Sequence, residues 1–177
     1  MGYLRDATLA AEGELDSEGV YARELHRGQD AFVRSGSGNY PIQISRYVLL
    51  GHYRLKHRAI AELRYAHQLE RRFTPEQIFT IHQNIADFGN GQYGVEAASQ
   101  YYFERSAAQL SLADSALLAG MIRAPNMLSP YKHPDRALER RNEVLDLMRQ
   151  RGKITEAEYE SARAAPLGVK IKQPMTP

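Results

Sequence analysis

Helical periodicity is the sequence feature that most constrains the fold of this chain. Glycine and proline interrupt the sequence at 36–41, at 89–94, at 125–134 and from 166 onward. The stretches between these interruptions place apolar residues at helical spacing. Alternation typical of a strand is confined to two short runs, 40–44 and 169–171. The sequence therefore predicts an all-α, mainly helical fold.

Composition narrows the class of protein further. The 177 residues are 43% hydrophobic and 25% charged, which is typical of a globular domain rather than of a disordered chain. The 23 Lys and Arg residues against 21 Asp and Glu give a net charge of +2, too balanced for a protein that coats nucleic acid. We expect a single domain over residues 1–165 and a C-terminal tail over 166–177.

The sequence carries no metal-binding pattern. It has no cysteine, which excludes disulfides, thiolate zinc sites and cysteine nucleophiles. Its six histidines occur singly rather than as a pair on one helix face, which favours solvated or core positions over zinc ligation. We therefore predict no metal site built from these residues.

Two sequence signals mark where helices begin. Thr74 and Gln77 have the spacing of a capping box, with a proline at the first helical turn. Ser111 and Asp114 repeat that spacing before the most uniformly apolar stretch of the chain. We expect the segment 110–122 to be the buried centre of the fold, because it carries too few charges for a surface helix.

An amphipathic helix is predicted over residues 136–151. Leu138, Val144, Leu145 and Met148 lie on or near its apolar face. We expect this face to pack on the core.

Glu62 is placed unusually for a carboxylate. It shares a helical stripe with Ala66, Leu69 and Phe73, so its charge points to an apolar face and needs a partner. Arg58, one helical turn earlier, can reach it. The segment 46–72 also carries an excess of cations suited to phosphate. The alternative is an exposed ion pair on a basic helix, which would contribute little.

Glu12 ends an apolar run that begins at Leu4. A carboxylate at the end of a buried helix can have a raised pKa and act as a general base. The alternative is a solvated helix end. Periodicity alone leaves both readings open.

Motifs dispersed along the chain point to one family. Their order and spacing are as follows: Arg58-x-x-x-Glu62, Phe88-Gly89-Asn90-Gly91-x-Tyr93-Gly94, Leu117-Leu118-Ala119-Gly120, Arg123-Ala124-Pro125, and Ala137-Leu138-Glu139-Arg140-Arg141-Asn142-x-Val144-Leu145. From Arg46 onward the chain resembles glycosyltransferase family 51, the peptidoglycan glycosyltransferase domain of bifunctional penicillin-binding proteins. The resemblance implies a lysozyme-like helical fold.

The resemblance also implies a reaction and a setting. Family members join lipid-linked disaccharide-peptide units into glycan strands: an acceptor hydroxyl attacks the anomeric carbon of the donor, and undecaprenyl pyrophosphate leaves. No cofactor is required, although a divalent cation, Mg²⁺ or Mn²⁺, could assist. The implied partners are the lipid-linked precursor, the glycan strand, a membrane surface and other cell-wall synthesis proteins, not nucleic acid. The implied location is the bacterial cell envelope, on the outer (periplasmic) face of the cytoplasmic membrane.

Site residues follow by matching positions. The resemblance places Glu12 on the family's catalytic base and Glu62 on its second glutamate. Arg46 and Arg58 match cations that hold the pyrophosphate. The remaining substrate-binding positions fall on Asn39 and Gln43. Five of these residues are expected to line one cleft: Glu12, Gln43, Arg46, Arg58 and Glu62.

The chain departs from the family pattern near these positions. Gly13 stands where the family has Asp, Ala59 where it has Lys, and Gly38 and Asn39 where it has Ser and Thr. Two classes therefore compete: an enzyme of low activity, and a degenerate domain that binds precursor, glycan or a partner protein without turnover. Of these two classes we favour the enzyme. A third hypothesis is hydrolysis of glycan. The cations at 46 and 58 argue against it, because they suit a pyrophosphate leaving group.

Overall fold

The computed structural model describes residues 2–12, 40–50 and 58–170. The helices in these ranges are α1 (Gly2–Glu12), α2 (Tyr40–Ile44), α3 (Arg58–Arg72), α4 (Pro75–Ile85), α5 (Val95–Phe103), α6 (Leu112–Met121), α7 (Pro134–Gln150) and α8 (Glu156–Ala164). A π-helical turn, Ser45–Leu50, follows α2, and a 3₁₀ turn, Ala107–Gln109, precedes α6. The described residues contain no strand, only an isolated bridge between Asp87 and Tyr93. The predicted all-α class is confirmed.

The chain divides into two compact units. One comprises Met1–Ala11 with Asp87–Pro177, and the other comprises Glu12–Ala86. The expectation of a single domain over residues 1–165 stays a prediction. Within the described ranges, no helix is long and apolar enough to cross a lipid bilayer.

Helix α6 is the centre of the first unit, as predicted. All ten of its residues are buried. Ser111 caps the helix, because its side chain accepts a hydrogen bond from the backbone N–H of Asp114 while the Asp114 carboxylate accepts one from the backbone N–H of Ser111. Val144 and Leu145 of α7 are fully buried in the same cluster. The expectation that Leu138 packs on the core was wrong, since its side chain is 37% exposed.

A glycine-rich loop connects α4 to α5. Gly89, Asn90, Gly91 and Gly94 all have positive φ, as the sequence predicted for this stretch. At Gly89 a side chain would also be crowded, because an added Cβ would lie 3.1 Å from the carbonyl oxygen of Pro125. The loop is therefore an architectural feature.

The described part of the second unit consists of α2, the π-helical turn, α3 and α4. Helix α4 begins at the predicted capping box, with the Thr74 side chain accepting from the backbone N–H of Gln77. Tyr40 is fully buried and meets Phe79 edge-on, with ring centroids 5.5 Å apart. Ile42 packs against Ala66 of α3.

The strand interpretation of residues 40–44 was wrong, because these residues form α2. The isoleucines favour a strand by propensity, but four of the five side chains in α2 are buried, which a strand with one solvated face would not allow. Pro41 is tolerated because N–H groups in the first turn of a helix have no acceptor within the helix, so the N–H that proline lacks costs nothing. The second candidate strand was 169–171. Val169 and Lys170 have no regular structure, and residue 171 lies outside the described residues.

Candidate active site

An ion pair between Arg46 and Glu62 is the main feature of the second unit. Glu62 projects from α3 and is 3% exposed, whereas the Arg46 side chain is 45% exposed. Nε of Arg46 donates to Oε1 of Glu62 at 3.2 Å, and Nη2 donates to Oε2 at 3.0 Å. Such a two-pronged contact is the strong and directional form of an arginine–carboxylate pair.

The local backbone explains how Arg46 reaches Glu62. Arg46 lies in the π-helical turn that follows α2, and this turn is wider than an α-helical turn. Ser45 closes the preceding turn, since its hydroxyl donates to the carbonyl of Pro41 at 2.7 Å. Turns of this kind are frequent at functional sites.

The contact with Glu62 favours the charged form of Arg46. Hydrogen bonding to Glu62 raises the pKa of Arg46 above its ordinary value. The guanidinium group has N–H donors beyond the two that Glu62 accepts, and its side chain is half-exposed. The arrangement therefore presents a fixed guanidinium group to an anion in solvent.

A second contact in this unit joins α2 to α4. Gln43 of α2 and His82 of α4 meet at 2.8 Å between Oε1 and Nε2. His82 is fully buried, and burial lowers its pKa to about 4. The imidazole ring is therefore neutral at pH 7. The core position expected for a single histidine is confirmed here.

The structure describes the positions of only some of the predicted site residues. It brings Glu62 and Arg46 together and places Gln43 one turn before Arg46. Arg58 was the partner expected for Glu62 from helical spacing, but its side chain lies outside the described residues. The Glu12 side chain and Asn39 also lie outside them. The expectation of a shared cleft for Glu12, Gln43, Arg46, Arg58 and Glu62 stays a prediction.

Sequence reasoning missed two features of this site. Helical spacing could not pair Glu62 with Arg46, because the two residues are 16 positions apart and belong to different elements. His82 carried only a weak signal, its place on the buried face of α4 with Ile78 and Phe79. Among the described residues, no group of three or more His, Asp or Glu could hold a metal ion.

Acid is expected to destabilise the chain through His82. The ring has a pKa of about 4 in the folded chain against 6.5 for an unperturbed histidine. Between these pH values the unfolded chain binds a proton that the folded chain does not, so stability falls as pH falls. As the pH falls through this range, the free energy of unfolding of the wild type should drop by up to about 3 kcal/mol more than that of His82→Gln.

Denaturant unfolding at a series of pH values measures this difference. His67→Gln is the matched control, because it makes the same substitution at an exposed histidine of α3. Parallel curves for the wild type and His82→Gln would contradict the expectation.

The described part of the chain is all-α and contains a buried carboxylate held by an arginine side chain. Comparison with known proteins identifies the family: the model of the Transglycosylase family matches residues 5–149. The chain therefore belongs to the Transglycosylase family, glycosyltransferase family 51, and has its lysozyme-like helical fold.

Known proteins from several bacteria are similar to this chain. Penicillin-binding protein 1A of Aquifex aeolicus is 41% identical over 138 residues, which is 78% of this chain and 19% of that protein. Penicillin-binding protein 1F of Bacillus subtilis is 31% identical over 177 residues, covering 96% of this chain and 25% of that protein. The crystal structure of penicillin-binding protein 1A from Haemophilus influenzae matches with a TM-score of 0.54 and 33% identity, covering 57% of this chain and 15% of that one. The chain thus spans a quarter or less of the length of these relatives.

Proposed function

We propose that the chain is a peptidoglycan glycosyltransferase domain of low activity, which polymerises lipid-linked disaccharide-peptide into glycan strands. The observation that carries this proposal is the contact between Arg46 and Glu62, at 3.0 Å and 3.2 Å. Both residues occupy family positions, and the contact leaves Arg46 half-exposed as a fixed donor for phosphate oxygens. Family membership supports the same reaction.

In the proposed reaction the 4-hydroxyl of the acceptor sugar attacks the anomeric carbon of the donor. Glu12 takes the hydroxyl proton as general base. The bond between the anomeric carbon and the pyrophosphate oxygen breaks, and the leaving group carries away the electron pair. Arg46 and Arg58 hold this pyrophosphate while its negative charge develops.

Glu62 acts through Arg46 in this scheme. Its carboxylate fixes the guanidinium plane, so the remaining N–H donors meet the pyrophosphate without a search through rotamers. The pair has no net charge, however, because one carboxylate offsets one guanidinium. We therefore assign the long-range attraction for the pyrophosphate to Arg58 together with the other cations of segment 46–72. Asn39 and Gln43 would add amide donors.

We propose no resident metal at Glu62. A divalent cation at Glu62 would compete with Arg46 for both carboxylate oxygens, and no further acidic group joins Glu62 in a metal-binding cluster in the described ranges. The pyrophosphate is therefore assigned to arginine side chains.

A second candidate function is binding without turnover. It is favoured by Gly13 and Ala59, which stand where the family has a carboxylate and a lysine. Each lost group of this kind costs roughly 2–4 kcal/mol of transition-state stabilisation. For the same reason we expect turnover well below that of ordinary family members, with substrate binding retained.

The proposed setting is the bacterial cell envelope, at the outer face of the cytoplasmic membrane. The similar proteins are named penicillin-binding proteins. The substrate proposed here carries a lipid, so the domain would work at a membrane surface. Other cell-wall synthesis proteins are proposed partners.

Arg58→Ala is expected to weaken binding of the lipid-linked substrate by about 1.5–3 kcal/mol, because it removes a charge-assisted contact with the pyrophosphate. Added salt should also weaken binding by the wild type, because salt screens the attraction between the arginines and the pyrophosphate. The effect of salt should be smaller in the variant, which has one cation fewer to screen. Equilibrium binding in detergent at several salt concentrations measures both effects.

Arg64→Ala is the matched control for this experiment. Arg64 is exposed on the same helix, so its loss should change affinity only slightly. Affinity that is indifferent to salt and to Arg58 would contradict the proposed assignment of the pyrophosphate.

A further inference from the structure

His82 holds the side chain of Gln43 from within the core of the second unit. The ring is fully buried, whereas Gln43 is half-buried on α2. The edge of the ring also contacts Tyr40, with 4.7 Å between ring centroids and 67° between ring planes. Packing and the 2.8 Å hydrogen bond therefore fix the position of Nε2.

The direction of this hydrogen bond follows from the other ring nitrogen. Nδ1 of His82 is buried and has no hydrogen-bond partner in the described part of the chain. A buried lone pair without a partner is tolerated better than a buried N–H without one. The proton of the neutral ring is therefore on Nε2, and Nε2–H donates to Oε1 of Gln43.

This bond fixes how Gln43 presents its amide group. With Oε1 occupied by the ring, the carboxamide has one orientation, in which its N–H donors point away from Nε2–H. Those donors bond to no other residue that the structure describes. Gln43 also lies one helical turn before Arg46, the proposed pyrophosphate ligand. Amide N–H groups in this position suit oxygen acceptors of a pyrophosphate or a sugar.

We infer that His82 is a positioning residue for substrate binding, because it sets the orientation in which Gln43 donates to the lipid-linked substrate. The inference rests on the proposed function. His82 is too deeply buried to touch the substrate, so it acts through Gln43. A role limited to packing would require only the shape of the ring. The positioning role requires an N–H donor at the place of Nε2.

Two amide substitutions separate these roles. In His82→Gln the side-chain amide nitrogen can occupy the place of Nε2, whereas in His82→Asn it reaches only the place of Nδ1. We expect His82→Gln to keep KM for the lipid-linked donor within about threefold of the wild type. We expect His82→Asn to raise KM about tenfold, which corresponds to about 1.4 kcal/mol of lost binding, with a smaller change in kcat.

A third variant and a second background complete the test. His82→Phe keeps the edge contact with Tyr40 but has no donor, so it should match His82→Asn and replaces it if that variant does not fold. In a Gln43→Leu background, His82→Phe should raise KM no further, because the group it positions is absent.

The outcomes distinguish this inference from the proposed function. Equal KM values for the Gln, Asn and Phe variants, or additive effects in the Gln43→Leu background, would overturn the positioning role. A wild type that neither binds nor polymerises the lipid-linked substrate would overturn the proposed function itself.

Discussion

Glu62→Gln is expected to lower kcat/KM for glycan polymerisation by about 100- to 1000-fold, the range seen when a preorganised group that stabilises transition-state charge is lost. The carboxylate accepts two hydrogen bonds from Arg46, and a glutamine side chain can accept only one of them. Arg46 is half-exposed, so its side chain would turn toward solvent and lose its fixed orientation. The free energy of unfolding should change less than kcat/KM, because the released Arg46 side chain can be solvated.

Polymerisation kinetics with lipid-linked disaccharide-peptide measure the loss. Glu70→Gln is the matched control, because Glu70 is exposed on the same helix and should leave kcat/KM unchanged. If Glu62→Gln polymerises as fast as Glu70→Gln, the Arg46–Glu62 pair does not belong to the active site.

Arg141→Ala is expected to lower the free energy of unfolding by about 3–5 kcal/mol. Arg141 is 1% exposed, and burial lowers its pKa. Its guanidinium group donates to backbone carbonyls in the last turn of α8 and just after it, those of Arg163, Ala165 and Pro166. Alanine would leave these acceptors without their donor and open a cavity beside α7.

Denaturant unfolding measures this loss. Arg136→Ala is the matched control, since Arg136 is exposed near the start of the same helix and its removal should cost less than about 0.5 kcal/mol. Arg141→Lys should fall between the two, because lysine keeps the charge but not the planar fork. A change below about 1 kcal/mol in Arg141→Ala would contradict the role assigned to these hydrogen bonds.

Much of the fold could be predicted because its signals are local. Capping boxes at Thr74 and Ser111 lie within four residues of sequence, and the structure confirms both. The glycine-rich loop from Gly89 to Gly94 was predictable from backbone sterics alone. Residues 40–44 were not predictable in this way, because their helix depends on packing against α3 and α4 rather than on propensity.

Only a small part of the candidate site could be predicted without the family resemblance. Periodicity showed that Glu62 faces an apolar surface, and the structure confirms its burial. Its partner Arg46 lies on another element, so no local pattern could identify the pair. His82 is a lone histidine in the sequence, and only the tertiary contact with Gln43 gives it significance.

The most direct test of the account is the amount of glycan polymer formed from lipid-linked disaccharide-peptide by the wild type and by Glu12→Gln, assayed side by side. We predict slow polymer formation by the wild type. In Glu12→Gln we predict a rate about 100- to 10,000-fold lower, with substrate binding retained, because the substitution removes the general base and leaves the arginines in place. Equal rates for the two proteins would contradict the role of Glu12. Substrate binding without any polymer in the wild type would contradict the enzyme and establish the binding domain in its place.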